Sequence, residues 1–161
     1  MSVDFDGLEL AVPPTALIAL DASVTLAYLV GTEAVSPAAT WIFDGCLSTG
    51  RNPGLLSTLT AAELLVRPFR AGDAAVGTVE GFLRFIGSIR LADVTYPIAR
   101  SAARIRAATG ISMPDAIVIG TALVHGARVL ATNDRGWPAS LAAETNGLQI
   151  VHLGAFVSAG A

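Results

Sequence analysis

The feature that most constrains this chain is a set of short apolar runs that stop abruptly at a polar residue and give way to helical spacing. Ala16–Leu20 (ALIAL) ends at Asp21, Leu55–Thr60 (LLSTLT) follows the breaker Pro53-Gly54, and Ile89–Val94, Arg128–Ala131 and Gln149–Leu153 repeat the theme. Runs of four to six residues without polar alternation suit strands covered on both faces, and that is the sheet of an α/β protein. Between the runs the spacing predicts helices over Ser23–Val30, Pro37–Leu47, Ala61–Arg70, Asp73–Ile86, Tyr96–Thr109 and Met113–His125, with a short one near Ala139–Thr145. Ser36 with Pro37 marks one helix start, and Gly72, Gly110 and Gly126 mark helix ends. The sequence reads as an α/β fold with a mainly parallel central sheet flanked by helices. With 161 residues and no repeat or linker, it makes one domain over 16–155, an acidic, irregular arm over 1–15 closing at Pro13-Pro14, and a tail over 156–161.

Composition excludes several functions. A 53% hydrophobic chain with 14% charged residues does not stay disordered. Its most apolar stretch, Ala16–Val30, is interrupted by Asp21, so no membrane span is expected, and Asp4, Asp6 and Glu9 occupy the place where an export signal needs positive charge. Cys46 is the only cysteine, which removes intramolecular disulfides and cysteine zinc sites and fits the cytoplasm. All ten basic residues are Arg; without Lys there is no Schiff base and no P-loop lysine. A net charge of −3 argues against broad electrostatic binding to a nucleic-acid backbone, so a phosphate ligand would need a metal or local Arg.

In open α/β sheets ligands collect beyond the carboxyl ends of the strands. Asp21, Glu63, Asp115 and Asp134 all fall there. Clustered carboxylates repel one another and cannot all remain ionised near neutral pH unless a divalent cation compensates, and hard oxygen donors suit Mg²⁺ or Mn²⁺ rather than zinc. Each has a plainer account. Asp21 can cap the helix after it, Thr60-Ala61-Ala62-Glu63 and Ser112-Met113-Pro114-Asp115 have capping-box spacing, and Asn133-Asp134 can be turn chemistry. The joint pattern favours function, because Glu33, Asp44, Asp73, Glu80 and Asp93 lack that placement.

Leu20-Asp21-Ala22-Ser23, Thr60-Ala61-Ala62-Glu63-Leu64, Met113-Pro114-Asp115-Ala116 with the apolar run after it, and Ala131-Thr132-Asn133-Asp134 occur in an order and spacing that resemble the PIN-domain ribonucleases, and among them the VapC toxins of VapBC toxin–antitoxin modules. The resemblance covers about Ala16–Leu153. It implies a single PIN-like domain in which Asp21, Glu63, Asp115 and Asp134 are the catalytic acids and metal ligands and Thr132 shapes the fourth corner. It further implies an endoribonuclease using Mg²⁺ or Mn²⁺ to cut single-stranded RNA, a cognate VapB-like antitoxin and a homodimer. The stretch before the first strand departs from the family, whose toxins begin almost directly with it.

Arg67, Arg135 and the i, i+4 pair Arg100 and Arg104 divide evenly between RNA contact and ordinary solvated faces. His125 and His152 have no metal-pair spacing and read as structural; Cys46, Ser57 and Ser112 lack a nearby His. Trp41 and Phe43 read as core, and Trp137 borders the predicted site, with packing a better account than base stacking. A receiver domain would require the absent Lys, and a haloacid-dehalogenase-like phosphatase an Asp where Ser23 stands. The other reading is a catalytically silent PIN-like binding or regulatory module.

Overall fold

The computed structural model describes residues 2–85 and 88–158. In chain order it contains β1 (Ser2–Val3), α1 (Phe5–Ala11), β2 (Ile18–Leu20), α2 (Ala22–Val30) and α3 (Ser36–Thr40), the last running into a π-helical stretch Trp41–Leu47. Then come β3 (Gly54–Ser57), α4 (Thr58–Ala71), α5 (Asp73–Phe85), β4 (Ile89–Ala92), α6 (Tyr96–Thr109) and α7 (Met113–Val124). The chain finishes with β5 (Val129–Thr132), α8 (Leu141–Glu144), β6 (Gln149–His152), a 3₁₀ turn Leu153–Phe156 and β7 (Val157–Ser158). The predicted helical residue Ile86 lies outside the described residues.

Five strands form one sheet in the order β4-β3-β2-β5-β6, and every neighbouring pair is parallel. The order runs outward from β2 through β3 to β4, then returns to the other side of β2 for β5 and β6. The strand order therefore reverses between β2 and β5, and a crevice opens at their carboxyl ends.

Period-two alternation splits the sheet residues between two cores. Ile18, Leu20, Leu56, Val129 and Ala131 join a cluster with residues of α1 to α5 and the π-helical stretch, including Leu8, Val24, Phe43, Leu64 and Val79. Ala19, Leu55 and Leu130 point to a second cluster with Ile105, Ala116, Ile119 and Leu141. The short strands are apolar throughout because both faces are covered.

Helix α6 packs closely on α7 because Gly120 has no side chain. A Cβ there would meet the Ile98 carbonyl oxygen at 3.0 Å and the Ala102 nitrogen at 3.2 Å, both backbone atoms that cannot swing away.

Several boundaries differ from the sequence reading. The arm over 1–15 is not irregular. Asp4 caps α1 by accepting a hydrogen bond from the Gly7 amide at 2.9 Å, and Leu8 and Val12 are fully buried. β1 pairs antiparallel with β7, so Val157 and Ser158, assigned to the tail, form a strand. Buried Asn52 donates to the carbonyls of Pro13 and Ala16, both at 2.9 Å, while Arg51 reaches the Val12 carbonyl at 3.0 Å and Glu9 at 3.6 Å. The second predicted strand stops at Ser57 rather than Thr60, because the Ser57 hydroxyl accepts from the Leu59 amide and starts α4 early. Ser36 does not cap α3; its hydroxyl donates to the Ala27 carbonyl and accepts from the Glu33 amide.

Two substitutions test this architecture. Leu8→Ala should cost about 3 kcal/mol in urea unfolding, the range for emptying a buried Leu site, whereas a dangling arm would lose nothing. Gly120→Ala gains helix propensity of about 1 kcal/mol but overpacks two backbones, and the net should be a loss of about 1–2 kcal/mol.

Candidate metal centre

All four sequence-predicted acids line one cavity of about 810 Å³ at the crevice between β2 and β5. Asp21 follows β2, Glu63 projects from α4 on one side of the sheet, Asp115 from α7 on the other, and Asp134 follows β5. Acids from both layers thus meet over the carboxyl edge of the sheet.

Asp21 is the best fixed of them. It occupies the N-cap position of α2 but its carboxylate makes no capping bond. The Ser23 hydroxyl donates to Asp21 Oδ2 at 2.6 Å, and the Thr132 hydroxyl donates to the same oxygen at 2.9 Å. Each hydroxyl also accepts from the loop after β5: Ser23 Oγ from the Asn133 amide at 2.9 Å and Thr132 Oγ1 from the Asp134 amide at 3.0 Å. One carboxylate oxygen therefore clamps β2 to the β5 loop. Asp21 is only 6% exposed, and Oδ1 accepts no hydrogen bond from the described residues.

Capping fails for Glu63 also. Helix α4 is capped by Ser57, which leaves Thr60 buried inside the helix and Glu63 in its second turn, facing the cavity. Asp115 does keep a capping partner: Ser112 accepts from the Asp115 amide at 3.3 Å and donates back to Asp115 Oδ2 at 2.5 Å. Asp134 combines both readings, since its Oδ1 accepts from the Gly136 amide at 2.7 Å in a local turn while the residue lines the cavity.

The electrostatics match a shared site. Glu63 is pushed above the ordinary carboxylate range, first by desolvation and then by the charges of Asp21 and Asp115. The residue is exposed overall, so solvent screens the energetic consequence. Half-buried Asp115 is also raised, chiefly by desolvation and then by Asp21 and Asp134, against two lowering influences, the hydrogen bond from Ser112 and the nearby indole of Trp137. Mutual repulsion among fixed oxygen donors is the condition that a hard divalent cation relieves. Among the described residues, no three acidic, imidazole or thiolate side chains are drawn together closely enough to cage an ion as they stand. The four acids line an open cleft, and their oxygen-only chemistry fits Mg²⁺ or Mn²⁺.

Beyond the acids the cleft turns apolar, lined by Leu26, Leu29, Val30, Leu64, Val66 and Val79, with Arg67 and Arg70 also on its wall. Arg67 is among the arginines the sequence singles out, Arg70 is not, and Ser23 stands there only as part of the Leu20–Ser23 motif with no role of its own. The signal for Ser23 was its place two residues after Asp21, where a hydroxyl reaches back to the carboxylate. Arg100 and Arg104 line a separate cavity with Tyr96, and Arg104 is ion-paired with Glu144. Arg135 is exposed and lies over Gly154. His125 meets Arg90 at 3.1 Å, and His152 sits edge-on to Trp137, both outside the cleft lining. Cys46 is fully buried with Arg51 at 3.4 Å from its sulfur, and desolvation raises its thiol pKa. No helix among the described residues is long and apolar enough to cross a membrane.

Because a carboxyl raised by folding holds its proton better in the native state, stability falls as pH climbs from the ordinary carboxylate pKa through the raised one, and the deficit persists above it. Glu63→Gln should therefore raise the melting temperature of metal-free protein at pH 7 and lose that advantage below about pH 4, where the unfolded chain's carboxyls also protonate. A melting series across pH with chelator present reads this directly.

The chain matches the PIN domain family model over residues 18–140. It matches no protein of curated function. Among solved structures, a toxin–antitoxin complex from Klebsiella pneumoniae is similar at 17% identity and TM-score 0.59, covering 86% of this chain and 98% of the other. VapBC2 from Rickettsia felis, bound to a promoter DNA fragment, is similar at 13% identity and TM-score 0.61, covering 84% and 97%. The sarcin–ricin-loop-cleaving toxin VapC20 from Mycobacterium tuberculosis is similar at 17% identity and TM-score 0.58, covering 80% and 94%. At such identities the likeness is one of fold, and it agrees with the parallel five-stranded sheet and its crevice: the chain belongs to the PIN domain family, with VapC toxins of VapBC complexes as structural neighbours.

Proposed function

We propose that this protein is a metal-dependent endoribonuclease, the toxin of a type II toxin–antitoxin pair. The observation that carries the reading is the convergence of Asp21, Glu63, Asp115 and Asp134 on one cavity, with Glu63 and Asp115 destabilised as anions first by desolvation and then by the neighbouring acids. The four carboxylates would hold Mg²⁺ or Mn²⁺, and Thr132 fixes Asp21 so that Oδ1 meets no donor among the described residues. A bound divalent cation supplies an acidified water and offsets the charge that gathers on the phosphodiester under attack.

The chain's own residues supply placement. Ser23 and Thr132 hold Asp21 and the Asp134 loop in fixed register, and Ser112 orients Asp115. Arg67 and Arg70 bring positive charge to the cleft wall, where an anionic backbone must pass a cluster of acids. Water adds to phosphorus, the bond to the 3′ oxygen breaks, and the products carry a 5′-phosphate and a 3′-hydroxyl. The apolar half of the cleft suits an antitoxin segment that would cover the acids, and one structural neighbour is itself a toxin–antitoxin complex. A homodimer gives exposed Leu91, Val94 and Tyr96 a surface to meet.

Purified protein should cleave single-stranded RNA with Mg²⁺ or Mn²⁺ and stop with chelator, and Asp21→Asn or Asp115→Asn should each lower the rate at least about 100-fold. Mn²⁺ at about 100 times its dissociation constant should add roughly 2.7 kcal/mol of stability. A wild type that neither cuts RNA nor responds to Mn²⁺ on melting would leave a PIN fold acting as a silent binding module.

A further inference from the structure

Asp115 and Asp134 belong to two cavities at once. Beside the main cleft lies a smaller one of about 340 Å³, whose lining includes Ser112, Asp115, Asp134, Gly136, Trp137 and Pro138. The sequence suggested mere packing for Trp137, and part of that holds: its ring stands edge-on to His152 at 6.1 Å and packs on the core beneath α7. Its polar atom has no such account. The indole nitrogen is removed from solvent and has no hydrogen-bond partner among the described residues. A buried donor without an acceptor is costly, and native structures rarely keep one without a use.

The surrounding acceptors narrow that use. Asp134 Oδ1 is taken by the Gly136 amide, whereas Asp115 receives only the Ser112 hydroxyl, on Oδ2. Asp115 shares the cavity wall with Trp137, and the indole dipole favours its charged form. We infer that Trp137 is a positioning residue for Asp115, its indole N–H donating to the carboxylate that Ser112 already holds. Two donors fix a carboxylate's rotation where one leaves it free to swing. The role in turnover rests on the nuclease reading; the contact itself does not.

The chain has two tryptophans, Trp41 and Trp137, so an ¹⁵N-labelled sample shows two indole N–H signals, and Trp137→Phe assigns them. The Trp137 signal should move on Asp115→Asn and on adding Mg²⁺ to the wild type, while the Trp41 signal stays in place. Trp137→Phe, which keeps an aromatic ring against His152, should lower kcat on RNA about tenfold and leave KM unchanged. If the Trp137 signal is indifferent to both Asp115→Asn and Mg²⁺, the contact is absent and the inference is overturned, whatever the protein does to RNA. If it moves but the wild type cuts no RNA, the contact stands and the nuclease reading falls.

Discussion

The structure turns on one carboxylate oxygen. Asp21 Oδ2 receives two hydroxyl hydrogens, from Ser23 on its own helix and from Thr132 at the end of the neighbouring strand, and both hydroxyls accept amides of the loop that carries Asp134. Hydrogen bonds to a charged group are stronger than neutral ones, and in a residue only 6% exposed they gain further from the low local dielectric. The clamp joins β2 to β5 where the strand order reverses, the seam that a parallel sheet leaves least covered at its carboxyl edge. It also divides labour within one side chain: Oδ2 holds the fold together, and Oδ1 is left for the cleft.

The same seam explains why the acids can be collected at all. Period-two alternation sends β2, β3 and β5 residues into two separate cores, and each core carries the helix that delivers one acid, α4 for Glu63 and α7 for Asp115. Leu64 is buried immediately beside Glu63, and Ala116 immediately beside Asp115, so apolar packing fixes the two backbones regardless of charge. Burial of a few large side chains, each contributing about 1.5–3 kcal/mol, outweighs the screened repulsion among partly solvated carboxylates.

The strands and the four acids were legible because both leave local marks: an apolar run of fixed length, and a carboxylate just past its end. What failed to show depended on partners distant in sequence. Glu63 looked like half of a capping box because Thr60 precedes it by three residues, yet Ser57 had already started the helix. Ser23 shows its function only once the Asn133 amide is known to reach it from 110 residues away. The N-terminal helix left a signal that the neighbouring prolines obscured: Asp4 as cap, with Leu8 and Val12 spaced i, i+4 on the face that became buried. Trp137 read as packing because a ring has an obvious apolar use, whereas an unmatched N–H becomes visible only in three dimensions.

The absence of Lys has a consequence in the placement of charge. Arg51 is committed to the N-terminal arm, Arg84 to Glu80, Arg90 to His125, Arg104 to Glu144 and Arg106 to the Ile111 carbonyl. The planar guanidinium suits such fixed structural contacts better than an ammonium does. Arg67 and Arg70, by contrast, lie on the cleft wall, in a molecule whose net charge is −3. Long-range attraction for a polyanion is therefore weak, and positive charge becomes useful only within a Debye length of the acids, about 8 Å at physiological salt. On the proposed nuclease reading, a phosphate backbone approaching such a surface would be held by close fit and local compensation rather than by general electrostatics, which would favour a short, shaped segment of nucleic acid over extended duplex.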